Sequence, residues 1–319
     1  MRHRSQRNWS KYNNKLKKIA RIDFYISEDA IKEWNYAGKR KPGGKKIYSD
    51  HAIELCSMMK EFYKLPYRQT EGFISSIFDL MGIKERVPDY TTLSRRISKL
   101  NIKISTIKKA VIAKSNEGLV VAVDSTGLST YSETEWLRKK HKKKLPGYKK
   151  WRKLHVAIDV ESGAILDAKY TKSTASDGPE LKGILDSIDG DISAVCGDMA
   201  YDTVNCRKLI YERGARQLIP PIRGARLSQN NRNIRQHKEI LKERDDAINY
   251  IKHNTIDGDQ SAARASWKKK VGYHARSLVE TTMHQIKSHC TDKLTNRLEC
   301  ARTNQALIKC KLINRIINA

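Results

Sequence analysis

Hydrophobic and polar positions change their period along this chain. Between residues 49 and 100, apolar residues recur at helical spacing in three short runs, SDHAIELCSMMKEFYKL, YRQTEGFISSIFDLMG and YTTLSRRISKL, broken at Pro66 and at the VPD tripeptide. Ser49 or Asp50 is expected to cap the first helix, Gly82 to end the second, and Thr91 or Thr92 to open the third. Three compact helices with a basic third one predict a helix-turn-helix-like DNA-binding region in which Arg95, Arg96 and Lys99 face a groove or the backbone. A plain bundle with solvated basic residues is the alternative.

From residue 118 the pattern becomes that of strands. GLVVAVD is an apolar run ending on Asp124, WRKLHVAIDV alternates Leu154, Val156 and Ile158, and AILDAKY follows the turn ESG. Three consecutive antiparallel strands are expected. DGPELKGILDSI then reads as a helix opened by a capping box of Asp177 and Glu180. ISAVCGD reads as a buried strand ending on Asp198, TVNCRKLIYERG as a helix capped by Asp202, and RQLIPP as a fifth strand. Asp159, Glu161 and Asp167 read as solvated turn charges. A polar, basic insertion at about 222–270 precedes two helices, one in YHARSLVETTMHQIK and one over about 297–317. The predicted organisation is a basic arm and linker over 1–46, a helical domain over 47–116 and an α/β domain over 117–319.

The stretch YHARSLVETTMHQIK carries a second pattern. An ideal helix advances about 100° per residue; with Tyr273 at zero, Arg276 falls at ~300°, Glu280 at ~340° and Lys287 at ~320°. These four residues would share one face. Ala275, Val279, Met283 and Ile286 form an adjacent apolar stripe suited to packing on a core.

Charge narrows the choice of partner. There are 63 Lys plus Arg against 35 Asp plus Glu, a formal net charge of +28, which points to a polyanion. No stretch approaches the roughly 20 apolar residues of a membrane-spanning helix, so nucleic acid is favoured over a membrane surface. The densest basic run, RKKHKKKLPGYKKWRK at 138–153, has ten Lys or Arg in sixteen residues with Tyr148 and Trp151 interleaved. Lys149 and Lys150 are candidate phosphate contacts there, and Trp151 a candidate for stacking on an unpaired base. The six cysteines form no C-x-x-C pair and read as reduced thiols rather than zinc ligands.

The acids suggest chemistry. Asp124 and Asp198 at the ends of neighbouring parallel strands, with Glu280 on a helix packed across the sheet, would bring three carboxylates to one point. They repel one another unless cations neutralise them. Hard oxygen ligands without a His/Cys cluster suit two Mg²⁺ ions, with Mn²⁺ able to substitute, as in two-metal phosphoryl transfer.

VDSTG around Asp124, GDMAYD around Asp198, and the Tyr-x2-Arg-x3-Glu-x6-Lys spacing of Tyr273, Arg276, Glu280 and Lys287 resemble the insertion-sequence DDE transposases with the Tyr-Arg-Glu-Lys signature. YSDHAIELCSMMKEFYKLPYRQTEGF and VPDYTTLSRR resemble the N-terminal part of the same family, so the likeness runs from about residue 45 to the end. It implies a ribonuclease-H-like mixed five-stranded sheet flanked by helices, in agreement with the element order read above. It further implies that Asp124, Asp198 and Glu280 are the catalytic, metal-holding residues. Tyr273 and Arg276 would orient a DNA phosphate and Lys287 would contact the transferred end. The implied reaction cuts the ends of an insertion sequence and joins the freed 3′-OH to target DNA, with water as the first nucleophile and the 3′-OH as the second. The implied partners are double-stranded DNA, at the terminal inverted repeats and the target, and a second copy of the chain in a homodimer. A cytoplasmic location, on the nucleoid when bound to DNA, goes with this reading. A structure-specific nuclease of the same fold and a non-catalytic DNA-binding derivative are the alternatives.

Overall fold

The computed structural model describes residues 8–39, 46–104, 118–130 and 151–318. The chain divides into two compact units, Met1–Ile102 with Ser288–Ala319, and Lys103–Lys287. The sequence places residues 288–319 in the α/β domain, yet they group with the N-terminal helices. Buried polar residues on the terminal helix Glu299–Ile317 account for this. Asn304 donates to the carbonyls of Ile97 (2.6 Å) and Leu100 (2.8 Å), and Gln305 donates to Glu61 Oε1 (2.8 Å). Lys309 Nζ lies 3.4 Å from Glu61 Oε2. Each group would be costly if left unpartnered, so the bonds commit this helix to that unit.

In the first unit the three predicted helices are Asp50–Phe62, Tyr67–Leu80 and Tyr90–Ile97. Ser49 caps the first by accepting from the Ala52 N–H. The third opens earlier than expected: Asp89, with extended backbone, accepts from the N–H groups of both Thr91 and Thr92 at 2.8 Å. The predicted N-terminal arm is partly a folded layer, with helices at Trp9–Ile19 and Glu28–Lys32 and with Tyr25, Ile26 and Trp34 buried. Trp34 Nε1 donates to the Arg86 carbonyl (2.9 Å), which satisfies the indole in the interior. Among the described residues no helix is long and apolar enough to cross a membrane. All six cysteines are free thiols, five of them buried and Cys300 exposed.

The second unit is built on a mixed sheet. Its strands are β1 (Leu119–Thr130), β2 (Trp151–Asp159), β3 (Ile165–Lys172), β4 (Ile192–Cys196) and β5 (Arg216–Leu218), in the order β3-β2-β1-β4-β5. β1–β2 and β2–β3 pair antiparallel, whereas β1–β4 and β4–β5 pair parallel. This is the mixed, ribonuclease-H-like arrangement that the family resemblance implied and with which the element order agreed. The helices Asp177–Asp186 and Val204–Glu212 supply Leu181, Ile184, Leu185 and Ile210 to a core with Val121, Val123 and Val195 of the sheet. Fully burying each such side chain stabilises by about 1.5–3 kcal/mol.

Several local expectations change. β1 does not end at Asp124 but runs on to Thr130, because β2 continues to pair with it as far as Ser129↔Trp151. β2 does not alternate: residues 154–159 are all buried, since it is central and covered on both faces. Ser176, not Asp177, occupies the N-cap of Asp177–Asp186. Asp177 instead lies 3.1 Å from Lys153 Nζ and 3.3 Å from His155 Nδ1. Asp159 is buried rather than solvated, accepting from the Ser162 N–H (2.9 Å) and hydroxyl (2.6 Å), and Asp167 accepts from the Ser187 hydroxyl (2.6 Å). The polar insertion contains two helices, Lys242–His253 and Gln260–Val271, packed through Ala247, Ile251, Ala263 and Trp267.

Thr203 caps Val204–Glu212, and Asp202 has a different task. Its Oδ1 accepts from Arg207 Nε (2.8 Å) and Arg244 Nε (3.0 Å), and its Oδ2 from the Ile222 N–H (2.8 Å). Arg207 also donates to Gln217 Oε1 (2.9 Å) and to the Ile219 carbonyl (3.0 Å). Burial pushes the Arg207 pKa down, against the pull of Asp202. Removing one member of a buried charge group leaves the others uncompensated. Asp202→Ala should therefore lower unfolding free energy by about 3–5 kcal/mol, read from urea titration followed by circular dichroism.

Candidate active site

Strand register sets the site. Ala122 is the last β1 residue in the parallel ladder, opposite Cys196, the last residue of β4. Asp124 and Asp198 each lie two residues further on, so the two carboxylates leave the same sheet edge from adjacent strands. The expectation that parallel pairing brings these two together rests on this register.

Past β4 the chain turns tightly. Asp198 caps the single-turn 3₁₀ segment Met199–Tyr201, its Oδ1 accepting from the Ala200 N–H at 2.8 Å. The Tyr201 ring folds back over Gly197, where an added Cβ would come within 2.9 Å of Tyr201 Cδ2. A side chain at position 197 would therefore push the ring away from the segment that carries Asp198. The Tyr201 hydroxyl is buried and, among the described residues, has no hydrogen-bond partner. Burial raises its pKa, and the negative charges of Asp177, Asp124 and Asp198 raise it further. An orphaned hydroxyl within electrostatic reach of these carboxylates is a feature that the GDMAYD motif did not reveal, because the sequence shows no direction for that ring.

The third carboxylate arrives by a different local structure from the one predicted. Gly272, in the left-handed conformation at φ 76°, ends the helix Gln260–Val271. Tyr273–Arg276 is a 3₁₀ turn packed on β1 and β4, and the α-helix Ser277–Cys290 begins only after it. The single helix expected over 273–287 is thus broken at residue 277. Its apolar stripe survives, with Val279, Met283 and Ile286 buried. So does the neighbourhood of Arg276 and Glu280, which are four residues apart and ion-paired.

Arg276 is the centre of the cluster. Its Nη1 donates to Asp124 Oδ2 and its Nη2 to Glu280 Oε1, so one guanidinium joins two of the three predicted catalytic acids. Burial opposes its charge, but Tyr273, Asp124 and Glu280 outweigh that and raise its pKa. Burial also raises the pKa of Asp124; the Ser125 N–H, donating to Oδ1 at 2.8 Å, and Arg276 act against this, while Asp198 and Glu280 add to it. Tyr273 is buried, and its phenol is pushed up to about 12, chiefly by burial. It remains protonated at neutral pH. Trp267 lies against its ring, with centroids 6.3 Å apart, and Lys268 Nζ stands 5.2 Å above it.

The other predicted residues fall elsewhere. Lys287 lies two turns beyond Glu280 and, among the described residues, has no hydrogen bond or ion pair to the cluster. Trp151 starts β2 opposite Ser129 with its ring against Gly127. That is five residues from Val156, the partner of Asp124, or about 16 Å along the strand. Lys149 and Lys150, with most of the basic run at 138–153, lie outside the described residues. In the first unit, Arg96 is engaged internally, donating to Asp50 Oδ1 (2.6 Å) and the Tyr48 carbonyl (3.1 Å), whereas Arg95 is exposed.

Among the described residues no group of three His, Cys, Asp or Glu is drawn together tightly enough to hold a metal ion. The donor chemistry nevertheless fits a hard divalent cation. Two carboxylates converge on one positive group and a third leaves the adjacent strand end, a set of hard oxygen donors.

Two family models agree with this architecture. Both carry the description Transposase DDE domain, one matching residues 17–133 and the other residues 115–316, more than half of the chain. The chain belongs to the DDE-domain transposase family, and that membership implies use of a divalent metal. It is 28% identical over 170 residues to an uncharacterised protein of Aquifex aeolicus (strain VF5), a match covering 50% of this chain and 51% of that one. The chain thus spans about half the length of that curated relative. Among solved structures it is similar to the piggyBac transposase synaptic complex with hairpin DNA (13% identity, 95% of this chain, 74% of that one, TM-score 0.38). It is also similar to the Drosophila P element transposase strand transfer complex (11% identity, 95% and 85%, TM-score 0.32).

The Gly197–Tyr201 contact can be tested from both sides. Gly197→Ala should cost about 1–3 kcal/mol of stability through overpacking. Tyr201→Phe removes only an unpartnered buried hydroxyl and should leave stability unchanged or raise it by about 1 kcal/mol. Thermal melts of the two variants check the pair.

Proposed function

We propose that this chain is a DNA transposase that cuts the ends of an insertion sequence and joins the freed 3′-OH to target DNA. The observation that carries the proposal is the convergence of Asp124 and Glu280 on Arg276, with Asp198 leaving the neighbouring strand end, in a chain of the DDE-domain family. In this reading Asp124, Asp198 and Glu280 hold two Mg²⁺ ions, for which Mn²⁺ can substitute. Bound there, the cations would supply Lewis-acid stabilisation of the charge that develops on the attacked phosphate.

The chain's own residues then have separate tasks. Asp124 is held in place by the Ser125 N–H and Asp198 by the Ala200 N–H, so both carboxylates meet substrate already oriented. Arg276 uses two of its five N–H donors on Asp124 and Glu280 and can offer the rest to a phosphate oxygen. Tyr273, kept protonated by burial, can donate its hydroxyl to the same group. Water and the 3′-OH are alternative nucleophiles for one in-line displacement, so no covalent protein intermediate is needed. The DNA partners are the terminal inverted repeats and the target duplex, and two copies of the chain hold two ends. Lys287, Arg95, Lys149, Lys150 and Trp151 are DNA contacts in the same proposal, and Arg96 contributes through the Asp50 pair that sets its helix.

Asp124→Asn, Asp198→Asn and Glu280→Gln should each reduce Mg²⁺-dependent cleavage and joining of a labelled element end on the order of 10³-fold or more. DNA binding and the melting temperature should change little. Any one variant with undiminished strand transfer would remove that residue from the metal site, and wild-type cleavage without joining would favour a nuclease.

A further inference from the structure

From just before β5 the chain runs through a long acid-free stretch. Residues 213–238 contain six arginines, one lysine and no aspartate or glutamate, in a chain where lysine otherwise supplies much of the positive charge. The segment just past Pro221 is not a loose connection. The Ile222 N–H donates to buried Asp202 (2.8 Å), and Arg264 donates to the carbonyls of Pro221 (2.8 Å) and Ile222 (3.2 Å). Arg244 donates to the Arg226 carbonyl (2.9 Å), and the Ser228 N–H donates to Asp245 Oδ1 (3.0 Å). Four charged side chains from three separate places in the second unit thus hold one short loop by its backbone. Gly224, at φ 72°, provides the left-handed residue of the turn, which the Ala225 N–H closes onto the Ile222 carbonyl at 3.2 Å.

The acids that approach this loop spend their charge on its backbone and on Arg207 and Arg244. The loop's own cations, Arg223 and Arg226, stay exposed, and among the described residues no acid pairs with either. Arg223 also stands near enough to Arg264 to help burial lower the Arg264 pKa, so like charges are gathered rather than neutralised. Topology places the loop. β5 runs parallel to β4, so both strands exit at one sheet edge, and Asp202 lies only one 3₁₀ turn beyond Asp198.

We infer that the loop at 222–226 is a preformed phosphate clamp, in which Arg223 and Arg226 grip the backbone of DNA beside the catalytic carboxylates. Arginine suits the task because its planar fork engages phosphate oxygens bidentately. A backbone fixed in advance loses little conformational entropy on binding. Contacts of this kind add affinity and register without reading sequence. The inference rests on the proposed transposase reading, because it needs DNA as the partner.

The test compares wild type, Arg223→Ala/Arg226→Ala and Arg223→Lys/Arg226→Lys for binding a duplex element end across a series of salt concentrations. Each phosphate contact contributes about 0.9 to the slope of log K against log salt, so the alanine pair should lower that slope by roughly 2. The lysine pair should keep the slope and bind more weakly, since the charge remains but the fork is lost. Ethylation interference should show one or two protected phosphates next to the cleavage position disappearing in the alanine pair. An unchanged slope and an unchanged interference pattern in the alanine pair, with its melting temperature intact, would overturn the clamp. Failure of wild type to bind the duplex at any salt would instead refute the transposase reading.

Discussion

The second unit depends on like charges being forced together and then balanced. Parallel pairing of β1 with β4 stops at Ala122↔Cys196, which sends Asp124 and Asp198 from the same edge of the sheet. Glu280 is brought to Asp124 through Arg276. Burial raises the cost of ionising Asp124, and the charges of Asp198 and Glu280 add to it. Arg276, paired with both Asp124 and Glu280, acts against that cost.

A second charged centre holds the surroundings of the first. Buried Asp202 ties together Arg207 on the helix after the turn that Asp198 caps, Arg244 on the first insertion helix and the backbone of the loop at 222. Arg207 extends the group to Gln217 and Ile219 at the end of β5. The turn carrying Asp198, the last strand and the insertion are thus bound to a single carboxylate. Acids that anchor structure, such as Asp202 and Asp159, and acids just past the end of the β1–β4 ladder, such as Asp124 and Asp198, belong to different classes here. Their sequence contexts barely distinguish them.

That difference explains which parts of the site were readable. Asp124, Asp198 and Glu280 were legible as candidates because each stands at a position set by period: after an apolar strand run, or on the polar side of an amphipathic helix. The element order predicted the mixed sheet, since short apolar runs alternating with capped helical runs leave few arrangements. Asp177 and Asp202 were misread as helix caps. Acid before a helical run is a strong local signal for a cap, but the tertiary partners Lys153, Arg207 and Arg244 compete for the same carboxylates and prevail. The orphaned Tyr201 hydroxyl and the Gly197 contact depend on ring direction, which no spacing encodes.

By itself the sequence determined the alternation of strands and helices, the excess of positive charge, the three acids and the basic, acid-poor stretches. These follow from local period and composition, which any conformation of the chain must obey. The tertiary structure decided that Arg276 joins Asp124 to Glu280, that the helix around them breaks at residue 277, and that residues 288–319 leave the sheet unit for the N-terminal helices. It also decided that Arg223 and Arg226 are presented on a pinned loop rather than dispersed along a linker. Each of these outcomes rests on partners far apart in the chain, where burial makes every unpaired polar group costly and leaves few ways to satisfy them all.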